Sequence, residues 1–336
     1  MKTKIIYVFG SPSLVGGADT ELFHQIILFK KKGIPVHIVP NEIDNTAIEL
    51  AKKMECEIHE YKPDIFKDKH VICYCNGPAL DRLPEMAKPA SFTWFNCMTW
   101  TFPKEIEALQ KGLITHAGYV SKYQESTLLK GYVDAGVKPP INIGYFPYLD
   151  IHQFKILQKN LDYYGLGRIS RADPAKYSDD CWKIFERVLS PIPKKVFMLG
   201  YDNKVEEKIG KPPKELDFMV WHPGAVKAEH VYSKIDVMVH KTGGSRESYC
   251  RVLIEAMAYG KMAFVEHDYA FPEILVNSKE LGNWIMCRSS DEMSYKASEL
   301  VFYQHKLRQL QMLCRKYVER YLCDEQRSIN SWKHIG

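Results

Sequence analysis

The chain has 336 residues, enough for two ordinary domains. Hydrophobic residues make up 46% and charged residues 26%, a globular composition that excludes a disordered chain. The formal net charge of +5, with its excess mostly beyond residue 155, is too small in a chain of this size to argue for nucleic acid by itself.

The N-terminus carries a short apolar run without a long hydrophobic region or a small-residue cleavage site. It reads as a first buried strand, Ile5–Phe9, and not as a signal peptide. An amphipathic helix over Thr20–Lys32, a strand over Val36–Val39 and a helix over Asn45–Met54 follow. Val71–Cys75, Ser91–Asn96 and His116–Val120 are further strands, in the βαβ rhythm of a parallel sheet covered on both faces. Pro139-Pro140 and Phe146-Pro147 interrupt the rhythm. It restarts with strands over Tyr163–Ile169, Lys195–Leu199, Phe218–Trp221, Val237–His240, Met262–Val265 and Trp284–Met286. The expected organisation is α/β, with Rossmann-like domains over residues 1–155 and 156–315. The region Ser290–Ser331 is helix-rich, and residues 316–336 form a tail that Trp332 either anchors on the first domain or leaves frayed.

No run approaches 18 apolar residues, so no segment is expected to span a membrane. None of the nine cysteines stands in a Cys-x-x-Cys pair. Cys73 and Cys75 share a strand face without nearby His or Cys partners, a poor zinc frame. Buried free thiols imply a reducing compartment, and the expected location is cytoplasmic.

The densest chemistry lies in Gly243-Gly244-Ser245-Arg246-Glu247-Ser248-Tyr249-Cys250-Arg251-Val252-Leu253-Ile254-Glu255. Glycines allow close backbone approach to a ligand, and a helix start offers unpaired N–H groups and partial positive charge to an anion. With Glu247 at the mouth of a helix and Glu255 eight residues on, the carboxylates stand about 12 Å apart, roughly the span of a nucleotide-sugar. The competing reading is an ordinary amphipathic helix with two solvated glutamates.

This segment resembles the Glu-x7-Glu signature of retaining glycosyltransferases of the GT-B fold, family 4 (glycosyl transferases group 1), and Glu255-Ala256-Met257-Ala258-Tyr259-Gly260 continues the match. The resemblance implies two Rossmann-like α/β/α domains with a ligand cleft between them. Gly10-Ser11-Pro12-Ser13-Leu14-Val15-Gly16-Gly17-Ala18-Asp19 lacks Gly-x-Gly-x-x-Gly, which counts against a dehydrogenase. It is similar to the family's Gly-Gly-Ala-Glu loop, with Asp19 in place of glutamate, and implies donor-side roles for Gly16 and Gly17. A plain turn capped by Asp19 or Thr20 is the alternative.

In the loop Gly167-Arg168-Ile169-Ser170-Arg171-Ala172-Asp173-Pro174-Ala175-Lys176, an arginine fork and a lysine suit a departing diphosphate. The family pattern falls on Arg171 and Lys176, with Arg168 competing for the first role and solvated loop charges as the alternative. Tyr232-Ser233-Lys234-Ile235-Asp236-Val237 is similar to another family run. Trp221 and His222 lie where relatives approach the nucleotide base, although a half-buried core position suits Trp221 better. His240 and Lys241, with no partnering carboxylate recognised, read as cleft lining.

The chain departs from the pattern where relatives carry a first-domain histidine facing the sugar. Phe95-Asn96-Cys97-Met98-Thr99-Trp100 has none, which leaves Asn96 or His116 to serve and gives Cys97 no base partner as a nucleophile. No Asp-x-Asp occurs, so no essential metal or cofactor is expected.

The implied activity is retaining transfer of a hexose from a nucleoside diphosphate sugar, UDP-sugar foremost, to an acceptor hydroxyl. Glu247, Arg171 and Lys176 would be catalytic. Gly16, Gly17, Arg168, Gly244, Tyr249, Cys250 and Glu255 would bind the donor. A nucleotide-sugar 2-epimerase of GT-B architecture and an inactive binding scaffold are the alternatives. The acceptor stays open among glycan, lipid, protein, small molecule and modified DNA. Lys30-Lys31-Lys32 either touches an anionic membrane surface or complements a helix dipole.

Overall fold

The computed structural model describes residues 5–12, 16–157, 159 and 162–335. The chain forms two compact units: residues 1–150 with 323–336, and residues 151–322.

The first unit is built on seven parallel strands: β1 (Ile6–Phe9), β2 (Val36–Val39), β3 (Glu57–Ile58), β4 (His70–Tyr74), β5 (Ser91–Phe95), β6 (His116–Ala117) and β7 (Ile141–Asn142). Their order is β3-β2-β1-β4-β5-β6-β7. The central strands β1 and β5 are buried end to end, as apolar runs covered on both faces must be. One core cluster joins Phe9, Val71, Phe92 and Trp94 to Leu109, Leu128 and Tyr132.

The second unit carries six parallel strands: β8 (Tyr164–Ile169), β9 (Lys194–Leu199), β10 (Asp217–Trp221), β11 (Val237–His240), β12 (Met262–Glu266) and β13 (Met286–Cys287). Their order is β10-β9-β8-β11-β12-β13. In both sheets the order reverses beside the first strand, and the crevice at the carboxyl ends there is the favoured ligand position in open α/β sheets.

The end of the chain belongs to the first unit. Trp332 is buried, donates Nε1–H to Oε1 of Gln25 at 3.2 Å, and meets Phe29 edge-on at 5.1 Å. Glu325 accepts from Lys31 at 3.0 Å and Lys32 at 2.8 Å, while Lys30 pairs with Glu55 at 2.7 Å. The three lysines are thus paired with carboxylates of their own unit.

The expected elements differ from the structure in five places. The two-residue strands β3 and β7 add sheet edges beyond those expected. The strand expected over His116–Val120 ends at Ala117, because β7 pairs only with its first two residues and Ser121 caps the next helix by accepting from Gln124 N–H. Trp284 lies in a helix, Lys279–Ile285, capped by Ser278 and burying Leu281 and Ile285, so strand β13 starts only at Met286. The first helix, Gly17–Lys31, is capped by the backbone of Gly16 at φ 94°, and neither Asp19 nor Thr20 caps it.

Candidate functional site

The segments carrying most of the expected site residues leave β8 and β11, the two strands beside the order reversal of the second sheet. After β8 the chain makes a single turn, Pro174–Lys176, held by the Asp173 carboxylate accepting from Ala175 N–H at 3.0 Å. The Ala175 carbonyl then accepts from the N–H groups of Gly243 and Ser245, each at 3.0 Å. A Cβ on residue 243 would lie 1.9 Å from the Tyr177 carbonyl oxygen, so only glycine lets the two loops zip together.

This zipping places Lys176 Nζ 2.7 Å from Oε1 of Glu247, a carboxylate only 8% exposed. Nε2 of His240, the last residue of β11, is 3.1 Å from the same oxygen. Burial alone would raise the Glu247 pKa, but the hydrogen bonds and charges of His240 and Lys176 outweigh it and hold the carboxyl down at about 2. Burial and the nearby Arg168 push the His240 imidazole below its ordinary value. Glu247 is thus a carboxylate paired with Lys176 and hydrogen-bonded by His240. Nδ1 of His240 is buried with no hydrogen-bond partner among the described residues.

Further ties stiffen the site. Lys241 donates to Asp180 at 3.2 Å and to Ser290 at 2.7 Å. The hydroxyl of Thr242 donates to Glu266, at the end of β12, at 2.6 Å. Asp236, of the Tyr-Ser-x-x-Asp-Val run, is buried, accepts from Gly165 N–H at 2.8 Å and pairs with Lys159 at 2.9 Å. It fastens β11 to β8.

Several sequence expectations are corrected by this geometry. The helix begins only at Arg251, after Cys250 in a left-handed conformation at φ 54°, so Glu247 sits in a loop and the eight-residue helical span to Glu255 does not exist. Tyr249 and Cys250 still lead into the helix start, and Gly244, at φ 123°, is exposed beside them. Glu255 lies 3.8 Å from Nε of Arg251, and burial raises its carboxyl. Arg168 is not a loop cation: it is 1% exposed, donates to the carbonyls of Val239 and Lys176, and lies with its guanidinium carbon 4.6 Å from the centre of the Tyr177 ring. Its charge is spent inside the unit, whereas Arg171 is exposed. Trp221 is half-buried against Phe197 and His230, and His222 is exposed.

In the first unit, Gly16 and Gly17 open the first helix after β1, while residues 13–15 of that loop lie outside the described residues. Asn96 is not free for a sugar. It is buried, donates to Glu105 at 2.5 Å and to the Trp100 carbonyl at 3.0 Å, and accepts from Met98 N–H. His116 is the first residue of β6, away from the carboxyl ends, and stacks on His334 at 4.6 Å. Burial raises the Cys97 thiol well above its ordinary value, which does not suit a nucleophile.

His240, Glu247 and Cys250 bring three potential metal-donor atoms within 4.8 Å. Burial holds the Cys250 thiol protonated and Lys176 already balances Glu247, so the group is better described as an ion pair than as a metal cage. No helix among the described residues is long and apolar enough to cross a membrane.

No family model matches the sequence, and no curated protein matches it. Solved structures resemble it over nearly their whole length. HepE of Anabaena in complex with UDP and glucose aligns with a TM-score of 0.70 at 13% identity, covering 99% of each chain. A glycosyltransferase of Rickettsia africae gives 0.69 at 12%, covering 100% of this chain and 99% of its own. TarM gives 0.73 at 13%, covering 99% of each. At these identities the likeness establishes the fold: the two parallel α/β units are those of GT-B, as the sequence resemblance implied.

Proposed function

We propose that this protein is a retaining glycosyltransferase that moves a hexose from a nucleoside diphosphate sugar, UDP-sugar foremost, to an acceptor hydroxyl. The observation that carries the reading is the Lys176–Glu247 pair on two zipped loops at the order reversal of the second sheet. The likeness in fold to HepE, solved with UDP and glucose, supports the donor class.

In this reading the ionised Glu247 accepts hydrogen bonds from hydroxyls of the donor sugar. Lys176 and the exposed Arg171 stabilise charge growing on the diphosphate as the glycosidic bond breaks. N–H groups at Tyr249 and Cys250, where the chain enters the helix Arg251–Ala258, hold the distal phosphate, and Glu255 receives the ribose. The new bond forms between the acceptor oxygen and the anomeric carbon, the bond to the diphosphate breaks, and the acceptor proton passes to a leaving-group oxygen. No protein base is needed, which agrees with a Glu247 held ionised.

Calorimetric titration with UDP, GDP and ADP, each without added metal, tests the reading. Micromolar binding of one nucleotide, lost in Arg171→Ala/Lys176→Ala, is expected and names the donor for an acceptor screen. No binding of any nucleotide overturns the site assignment. Binding with turnover of the donor to its 2-epimer in the absence of acceptor would replace transfer by epimerisation.

A further inference from the structure

On the outer edge of the first unit's sheet, His37, Glu57 and His59 bring potential metal-donor atoms within 4.8 Å of one another. Strand register puts them there. His37 of β2 is the partner of Glu57 in β3, and alternation brings His59, two residues on, to the same face. The His59 N–H donates to the Ile38 carbonyl at 2.9 Å, which continues the ladder and fixes that residue beside the pair.

The distances suit a first-row transition metal. Nε2 of His59 is 2.8 Å from Nδ1 of His37 and 3.5 Å from Oε2 of Glu57. Two donors bound to one zinc at about 2.1 Å lie roughly 3–3.5 Å apart, and because Oε2 of Glu57 stands 3.6 Å from the other His37 nitrogen, Nε2, the His37 ring must turn for one of its nitrogens to share an ion with His59 and Glu57. Two imidazoles and one carboxylate form a donor set that favours Zn2+, Cu2+ or Ni2+ over Mg2+ or Ca2+.

The surroundings hold the rings in place. Tyr7, the β1 partner of His37, lies beneath both imidazoles, with ring centres 5.0 Å from His37 and 6.3 Å from His59. Phe66 closes that floor at 6.2 Å from Tyr7. Lys69, 6.0 Å from the centre of the Tyr7 ring, is a cation of the same neighbourhood. The His37 side chain is 12% exposed and that of Glu57 70%, so one side of the cluster is open to solvent for entry and for a water ligand.

We propose that His37, Glu57 and His59 form a zinc-binding site that staples the two-residue strand β3 to β2. The ion would supply cross-strand bonds that so short an edge strand cannot supply through its ladder, and it takes no part in group transfer. The proposal does not depend on the glycosyltransferase reading.

The test uses metal-free, untagged full-length protein titrated with ZnCl2, read by calorimetry and by the thermal midpoint. Saturable binding at one ion per chain with a rise in midpoint is expected. Both effects should weaken about tenfold or more in His59→Ala and in Glu57→Gln, each of which changes a solvent-reaching side chain and leaves the fold intact by circular dichroism. Cys250→Ser should bind zinc as the parent does. The proposal is overturned if zinc does not bind saturably, if the His59 and Glu57 variants bind it unchanged, or if only Cys250→Ser loses it. In those cases the two imidazoles simply share a proton.

Discussion

Lys176 and Glu247, 71 residues apart in the chain, meet in a 2.7 Å ion pair inside the second unit, where both side chains are almost wholly withdrawn from solvent. An ammonium held beside an ionised carboxylate puts a group suited to a departing diphosphate next to one suited to sugar hydroxyls. Glu247→Gln keeps the shape and one acceptor oxygen but removes the charge. We expect nucleoside diphosphate affinity to stay within a few-fold of the parent while the transfer rate falls about a hundredfold, the scale of one transition-state contact. An unchanged rate would remove Glu247 from the chemistry.

The same pair governs stability. Lys176→Met leaves a buried carboxylate without its cation, at an expected cost of about 3 kcal/mol at pH 7. Adding Glu247→Gln removes the stranded charge and should restore most of the loss, a coupling that a double-mutant cycle in thermal unfolding would measure. The pH dependence follows from the depressed Glu247 carboxyl. Its contribution is complete above the unfolded value near 4.3 and disappears as pH falls toward about 2. Additive penalties in the cycle would mean that the pair is not coupled.

Glu105 carries a second, purely structural expectation. It is fully buried, and its two oxygens accept from the Trp94 indole at 2.9 Å, the Tyr132 hydroxyl at 2.6 Å, the Asn96 amide at 2.5 Å and the Phe102 N–H at 3.0 Å. Glu105→Ala strands four donors and should cost about 3–5 kcal/mol, among the larger single-residue losses available in the first unit. Denaturant unfolding measures it, and a loss below ~1 kcal/mol would show that the surrounding groups find other partners.

The fold was legible because parallel strands buried on both faces read as unbroken apolar runs, and β1, β5 and β11 follow them closely. The edges were not, because β3 and β7 have two residues each and carry no compositional signal. At the site, both loops stand out in the sequence, but their union does not, since it is made across the fold, in part by the Ala175 carbonyl serving two N–H groups. His240 has a carboxylate partner that the sequence does signal, since Glu247 lies only seven residues on, across a tight glycine loop. Arg168 stands within the apolar strand β8, where a charge must find internal acceptors, and that position in the sequence already argues against a loop cation. Asn96 looked available because nothing in the sequence links it to Glu105, nine residues away on the following helix.

The C-terminal tail is expected to respond to acid through His334. Its ring accompanies the buried Trp332 and lies beside Thr93 at 3.3 Å and against His116, while His70 adds a further like charge when protonated. Burial first, then these neighbouring imidazoles, push the His334 pKa down to about 4. A depressed histidine value means that the unfolded chain binds the proton more readily. Its share of stability is therefore complete above the unfolded value of about 6.5 and is lost as pH falls from there to about 4. Because the ring is only partly withdrawn from water, the loss should be on the order of 1 kcal/mol. Thermal midpoints measured from pH 7 to 4.5 should fall less steeply in His334→Leu than in the parent. Parallel curves would show that His334 titrates alike in the folded and unfolded chain, and the tail would then owe its place to its other contacts, Trp332 and the Glu325 ion pairs among them.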